Sequence, residues 1–126
     1  MIKIIFDTDV LIDILRNNKK TLDQVRKLTG DYEEFCCSCI TIGEIFAGMH
    51  PNEEGNTRNL LNGLTKLNVT EEIGQLGGRM KYKTRSHSLF LDDCLIAATA
   101  LINECILVTK NAKHYPFVAL PLVKIL

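Results

Sequence analysis

Four polar residues stand where strands and helices of this sequence should meet: Asp7, Glu44, Asp93 and Asn111. Three of them are carboxylates. Asp7 follows the apolar run Ile2–Phe6, Glu44 lies a few residues after Phe35–Ile40, Asp93 opens a run rich in alanine and leucine, and Asn111 follows Cys105–Thr109. Like charges brought within a few ångströms disfavour one another's ionisation, and a divalent cation removes that cost. Oxygen ligands with open coordination positions suit Mg²⁺ or Mn²⁺, and such an ion acidifies a bound water and stabilises charge developing on a phosphoryl oxygen. The chemistry to expect is phosphodiester hydrolysis.

Each acid also has an ordinary structural reading. Asp7-Thr8-Asp9 suits a helix N-cap, and Thr41-Ile42-Gly43-Glu44 fits a T-x-x-E capping box. Asp92-Asp93 suits a helix start, with Asp92 as the cap and both acids favoured by the helix dipole. Convergence separates the two readings. Independent caps have no reason to fall at successive sheet junctions beside one apolar helix.

The elements that must carry these residues follow from periodicity. Ile2–Phe6, Phe35–Ile40, Cys105–Thr109 and Leu122–Leu126 read as strands. Helices are expected over Val10–Leu15, over Thr21–Leu28 up to the Gly30-Asp31 turn signal, and from Thr41 to about Met49. His50-Pro51-Asn52 is a breaker, after which Leu60, Leu61, Leu64 and Leu67 predict a helix over Arg58–Leu67. Another helix is expected over Glu71–Arg85, where Gly74, Gly77 and Gly78 each cost about 1 kcal/mol relative to Ala. Asp93–Asn103 has almost no polar face, the mark of a helix buried within the fold. Strands alternating with helices imply an α/β three-layer sandwich, with a central parallel sheet and helices on both faces. In such a sheet the site lies outside the carboxyl ends of the strands, where the four polar residues stand.

Composition sets the outer bounds. At 126 residues and 46% hydrophobic, the chain suits a single domain spanning 1–126. Lys plus Arg is 15 and Asp plus Glu is 15, so a nucleic-acid site must come from local charge segregation rather than from a global basic field. The first apolar run is too short for a signal peptide or membrane span, and a cytoplasmic protein with no membrane partner is expected. Five cysteines, Cys36, Cys37, Cys39, Cys94 and Cys105, lie in apolar runs and read as reduced, buried thiols. Cys36-Cys37-x-Cys39 has no second Cys/His pair at finger or ribbon spacing, which argues against zinc.

Four motifs in order, Phe6-Asp7-Thr8-Asp9-Val10-Leu11-Ile12-Asp13, Thr41-x-x-Glu44 with Ile45–Gly48, Asp93–Ala100, and Leu107–Asn111 with His114-Tyr115, give the chain a family resemblance. It resembles the PIN-domain ribonucleases, and in particular the VapC toxins of bacterial toxin–antitoxin pairs. The resemblance implies a PIN fold, Mg²⁺ or Mn²⁺ dependence, endonucleolytic cutting of structured RNA such as transfer RNA, homodimerisation and inhibition by a cognate antitoxin. Asp7, Glu44 and Asp93 match the family's metal-binding acids, and Thr8 matches a polar neighbour in the same motif, which is expected to contact the substrate. Asn111 departs from those members that carry a fourth acid there, and Asp9 lies close enough to compensate.

For the substrate, the basic segment Arg79, Lys81, Lys83 and Arg85, interleaved with Tyr82, offers phosphate contacts and a stacking aromatic, against the ordinary reading of a solvated helix face. Lys110 adjoins the acids directly. His50, His87 and His114 fall at no position the metal chemistry requires and are expected in surface or packing roles. Two rival functions remain. The Phe6-Asp7-x-Asp9 start also resembles haloacid-dehalogenase-type phosphatases, in which Asp7 would be the nucleophile, although Val10 stands where that family has Gly. The other rival is an inactive PIN-like module that binds RNA or a partner while its acids serve as caps.

Overall fold

A run of three consecutive buried residues, Ile4, Ile5 and Phe6, makes β1 (Lys3–Phe6) a strand covered on both faces. The computed structural model describes residues 2–30, 34–84 and 89–126. β1 is the middle strand of a five-stranded sheet, with β2 (Glu34–Ser38) on one side and β4 (Cys105–Thr109) on the other. The edges are β3 (Thr65–Leu67) beside β2 and β5 (Leu122–Lys124) beside β4, giving the order β3-β2-β1-β4-β5. Every pairing is parallel, with Ile5 in register with Cys36 on one side and Leu107 on the other.

Parallel neighbours require crossovers, and the helices supply them. α1 (Thr8–Leu15) and α2 (Lys19–Thr29) lead from β1 to β2; α3 (Cys39–Gly48) and α4 (Glu54–Asn62) lead on to β3; α5 (Glu71–Lys83) and α6 (Leu91–Ile102) return the chain to β4. Alternation along the strands sorts the core in two. Ile5, Cys36 and Leu107 pack with Ile73, Met80 and Ile96 of α5 and α6, while Ile4, Phe6, Cys37 and Val108 pack with Val10, Leu11, Val25, Ile45 and Leu61 of α1 to α4. The three layers and the parallel sheet are those expected. So is the opposite facing of Cys36 and Cys37, and all five cysteines are free, four of them buried and Cys39 half-buried.

Several boundaries differ from the sequence reading. The leucines at 60, 61, 64 and 67 do not share one helix: α4 stops at Asn62, Gly63 is its C-cap, and Thr65–Leu67 turns into the edge strand β3. α3 begins at Cys39, two residues earlier than Thr41, because the Ser38 side chain caps it by accepting the Ile40 N–H at 3.0 Å. Glu44 therefore sits well inside the helix, and the capping-box reading of Thr41 and Glu44 does not hold. α6 likewise begins at Leu91 after Phe90, leaving Asp92 and Asp93 inside its first turn with neither as the cap. The three glycines of α5 do not interrupt it. Gly77 is required by packing, since a Cβ there would lie 2.7 Å from Leu95 Cδ2 and 3.2 Å from Leu95 Cα, so α5 rests directly on α6. No helix among the described residues is long and apolar enough to cross a membrane.

Strands β1, β2 and β3 step outward in one direction, and β4 and β5 fill the other side. The crossovers therefore diverge at the boundary of β1 and β4, and the crevice at the carboxyl ends of these two strands is the natural place for a site.

Candidate active site

Asp7 is the residue immediately after β1 and the N-cap of α1. Its Oδ1 accepts the Thr8 N–H at 2.8 Å, and its Oδ2 accepts the hydroxyl of Thr109, at the end of β4, at 2.7 Å. Thr109 in turn accepts the Asn111 N–H at 3.0 Å. Both carboxylate oxygens of the buried Asp7 are thus fixed, one by the first residue of α1 and the other by the last residue of β4.

Glu44 reaches the same edge from α3. The Thr8 hydroxyl donates to Glu44 Oε1 at 2.6 Å and lies 3.0 Å from the hydroxyl of fully buried Thr41. Thr8, expected beside the substrate, points inward and holds an acid in place. Asp93 comes from the first turn of α6, whose axis brings its N-terminus to the strands' carboxyl edge, and His114 Nδ1 stands 3.8 Å from Asp93 Oδ2. Asp9, one residue into α1, receives the side-chain N–H of Asn111. That contact uses the amide nitrogen of Asn111 and leaves its oxygen for other partners.

The electrostatics tie these acids into one group. Burial pushes the Glu44 carboxyl above its ordinary range; the Thr8 hydrogen bond opposes this, and Asp92 and Asp7 add to it. Burial also pushes Asp93 up, with His114 opposing and Asp7, Asp92 and Asp9 adding. Asp9 is raised by partial burial and then by Asp7, with Lys110 and His114 opposing, although its side chain stays exposed enough for water to damp the effect. Among the described residues, no three His, Cys, Asp or Glu side chains form a metal cage as they stand. Each acid is held instead by a hydroxyl, an amide or an imidazole.

The donor set itself fits a hard cation. Carboxylates from three distant segments share one edge, all three of Asp9, Glu44 and Asp93 are raised by lost hydration and mutual repulsion, and a positive charge would relieve both. The buried Tyr115 hydroxyl faces the same group, beside the Asp7 carboxylate but without a well-formed hydrogen bond. Burial drives its phenol far up, and Asp7 and Asp93 drive it further.

Other expected residues are placed differently. Lys110 Nζ pairs with Asp13 Oδ2 at 2.5 Å, beside Asp9 rather than over the acids. Lys81 is only half-exposed and donates to the Leu89 carbonyl, tying α5 to the approach of α6, so it is not free for substrate. Arg79 and Lys83 are exposed on α5, and Arg85 and His87 lie outside the described residues. His50 stays at the surface, 3.4 Å from Arg16 Nη2. Sequence reasoning read Thr41 as a helix cap, gave Thr109 and Tyr115 no role beyond their place in a motif, and assigned His114 to surface or packing. Only the adjacency of His114-Tyr115 to Asn111 hinted at their place.

The comparisons with known proteins agree with this geometry. The PIN domain family model matches residues 4–117. Ribonuclease VapC19 of Mycobacterium tuberculosis is 31% identical over 114 residues, which cover 89% of this chain and 91% of that protein. Among solved structures, a toxin–antitoxin complex from Klebsiella pneumoniae superposes with a TM-score of 0.79 at 24% identity over 96% of each chain. VapBC2 from Rickettsia felis, bound to a DNA fragment from its promoter, gives 0.81 at 18% identity over 98% of each chain. With its strand order, its acid edge and these likenesses together, the chain belongs to the PIN-domain family, among the VapC-type proteins.

Proposed function

We propose that this chain is the ribonuclease toxin of a toxin–antitoxin pair, an endoribonuclease that acts in the cytoplasm on structured RNA, with transfer RNA the first substrate to test. What supports the reading is the electrostatic repulsion by which Asp7 acts on both Glu44 and Asp93, acids from three distant segments near the switch point of a parallel sheet, in a chain similar to ribonuclease VapC19. These three acids would hold Mg²⁺ or Mn²⁺, with Asp9 and the Asn111 oxygen at the margin of the same site. When bound, the ion supplies an acidified water and charge neutralisation at phosphorus.

The chain's own residues prepare that site. Thr109 and the Thr8 N–H fix Asp7, the Thr8 hydroxyl fixes Glu44, and the dipole of α6 favours the negative charge of Asp93 in its first turn. Water adds to phosphorus and the bond to the 3′ oxygen breaks, leaving a 5′-phosphate and a 3′-hydroxyl. Solved complexes of VapB with VapC support an antitoxin protein as partner, and a homodimer is the expected assembly.

Incubating the purified protein with total RNA in Mg²⁺ or Mn²⁺, with EDTA, and with the Asp7→Asn variant tests the reading. Discrete cuts that vanish in EDTA and in the variant are expected. Cutting that survives chelation, or a protein that binds RNA and never cuts it, rejects the proposal; the second result would favour the inactive binding module. End-labelled products then map the target.

A further inference from the structure

Beside the acid edge, Asp9 and Asn111 form one lip of a cleft of about 540 Å³ that leads away from Asp93 toward β5 and is also lined by Asp13, Lys20, Lys110 and Lys124. Its charges are arranged unevenly. Lys110 is bound to Asp13, which also accepts the Thr21 hydroxyl at 2.7 Å. Burial pushes Asp13 up, but the hydrogen bonds from Lys110 and Thr21 outweigh it and hold the carboxyl below its ordinary range. The pair is therefore electrically closed. Lys20, in the first turn of α2, and Lys124, at the end of β5, are exposed and form no ion pair among the described residues. Two cations without an acid of their own thus face a cleft whose mouth is the acid edge.

A nucleic-acid strand carries a charge at every nucleotide, and the acids at the edge repel each of them. A cation held by the acids would offset the charge of the phosphate being cut but not that of its neighbours. We propose that the strand leaves the acid edge through this cleft, with phosphates flanking the cut held by Lys20 and Lys124, rather than along α5 over Arg79 and Lys83. The assignment rests on the ribonuclease reading and deepens it. The neutral Lys110–Asp13 pair forms the floor over which the strand passes.

The test compares the double variant Lys20→Ala/Lys124→Ala with Arg79→Ala/Lys83→Ala. All four side chains are exposed, and urea unfolding of each variant checks that the fold is retained. Binding of a labelled unstructured RNA oligonucleotide is measured in EDTA against salt concentration, and cleavage is measured separately in Mg²⁺ alongside hydrolysis of bis(p-nitrophenyl) phosphate, a diester too small to reach the lysines. The slope of log K against log salt should become shallower by about 0.7 for each cleft lysine removed. KM for RNA should rise in that variant with kcat and diester hydrolysis unchanged, and the α5 variant should behave as wild type. An unchanged slope in the cleft variant, or a loss confined to the α5 variant, overturns the assignment. Wild-type protein that cuts no RNA in Mg²⁺ overturns the ribonuclease reading instead, and the binding slopes still judge the cleft.

Discussion

Replacing Thr109 by Val keeps the shape at the end of β4 and removes one hydroxyl. That hydroxyl donates to Asp7 Oδ2 at 2.7 Å and accepts the Asn111 N–H at 3.0 Å. Thr109 is fully buried and Asp7 is 6% exposed, so water cannot take its place. A hydrogen bond to a charged acceptor contributes about 1.5–3 kcal/mol, and the stranded amide adds about 1 kcal/mol, so a loss of about 2–4 kcal/mol is expected. With a urea dependence of about 1–3 kcal/mol per molar, the unfolding midpoint should fall by roughly 1–2 M. Thr109→Ser keeps the hydroxyl, loses one methyl and should cost only about 1 kcal/mol. Urea unfolding followed by circular dichroism, in EDTA, measures all three proteins, and RNA cutting should fall in Thr109→Val and persist in Thr109→Ser. A Val variant within about 0.5 kcal/mol of wild type, or a Ser variant as damaged as Val, would show that the hydroxyl does not hold Asp7.

The raised Asp93 carboxyl makes stability depend on pH in a defined direction. Its folded value lies above the unfolded one, near 3.9, so its favourable contribution is complete below about pH 4 and is lost as pH rises through the folded value. Asp93→Asn should therefore melt above wild type at pH 7 in EDTA, and the gap should narrow as pH falls toward about 4; a gap that does not grow with pH counts against the acid cluster. Added Mg²⁺ should raise the melting temperature of wild type at pH 7 more than that of Asp93→Asn, and equal shifts would argue that the ion binds elsewhere. Gly78→Ala, on the open side of α5, should stabilise by about 0.5–1 kcal/mol, whereas Gly77→Ala drives a methyl onto Leu95 and should destabilise by about 1–3 kcal/mol despite its better helix propensity. Denaturant unfolding that finds the two variants alike removes the close-approach argument. Tyr115→Phe removes a buried hydroxyl that lies beside Asp7 without a well-formed hydrogen bond, so the EDTA-treated protein should lose less than about 1 kcal/mol; a larger loss would mean that the hydroxyl donates to Asp7 in solution.

How much could be seen beforehand depended on whether the signal was local. β1, β4 and α6 were legible because strands and helices covered on all sides must be apolar throughout, as Ile4–Phe6 and Ile96–Ala98 are. Asp7 could be singled out because an acid directly after a buried strand points to chemistry, whereas Glu44 and Asp93, carried inside α3 and α6, stood out through the motifs around them. β3 was not legible: Thr65 and Lys66 are exposed on an edge strand, and the leucine spacing on either side of Gly63 imitates a helix. The threonine hydroxyls of Thr8, Thr41 and Thr109 were illegible for a different reason. Each serves a partner tens of residues away, and threonine in a strand or helix looks the same whether its hydroxyl faces water or a carboxylate. Lys81 and Lys110 read as free charges because nothing nearby in sequence names their partners, Leu89 and Asp13.

The bonds that close the acid edge join the two halves of the polypeptide over its whole span: Thr109 to Asp7 and Asn111 to Asp9 each bridge 102 residues. β1 is made long before β4, so it acquires one of its two sheet neighbours only when β4 follows. While translation is under way, the emerging chain has its first acid but lacks the strand that aims it, and long-range parallel pairing of this kind forms slowly. A ribosome making this protein therefore carries a chain without cutting power until β4 has emerged. Activity and completed folding arrive together, and any inhibitor made alongside has until that moment to be in place.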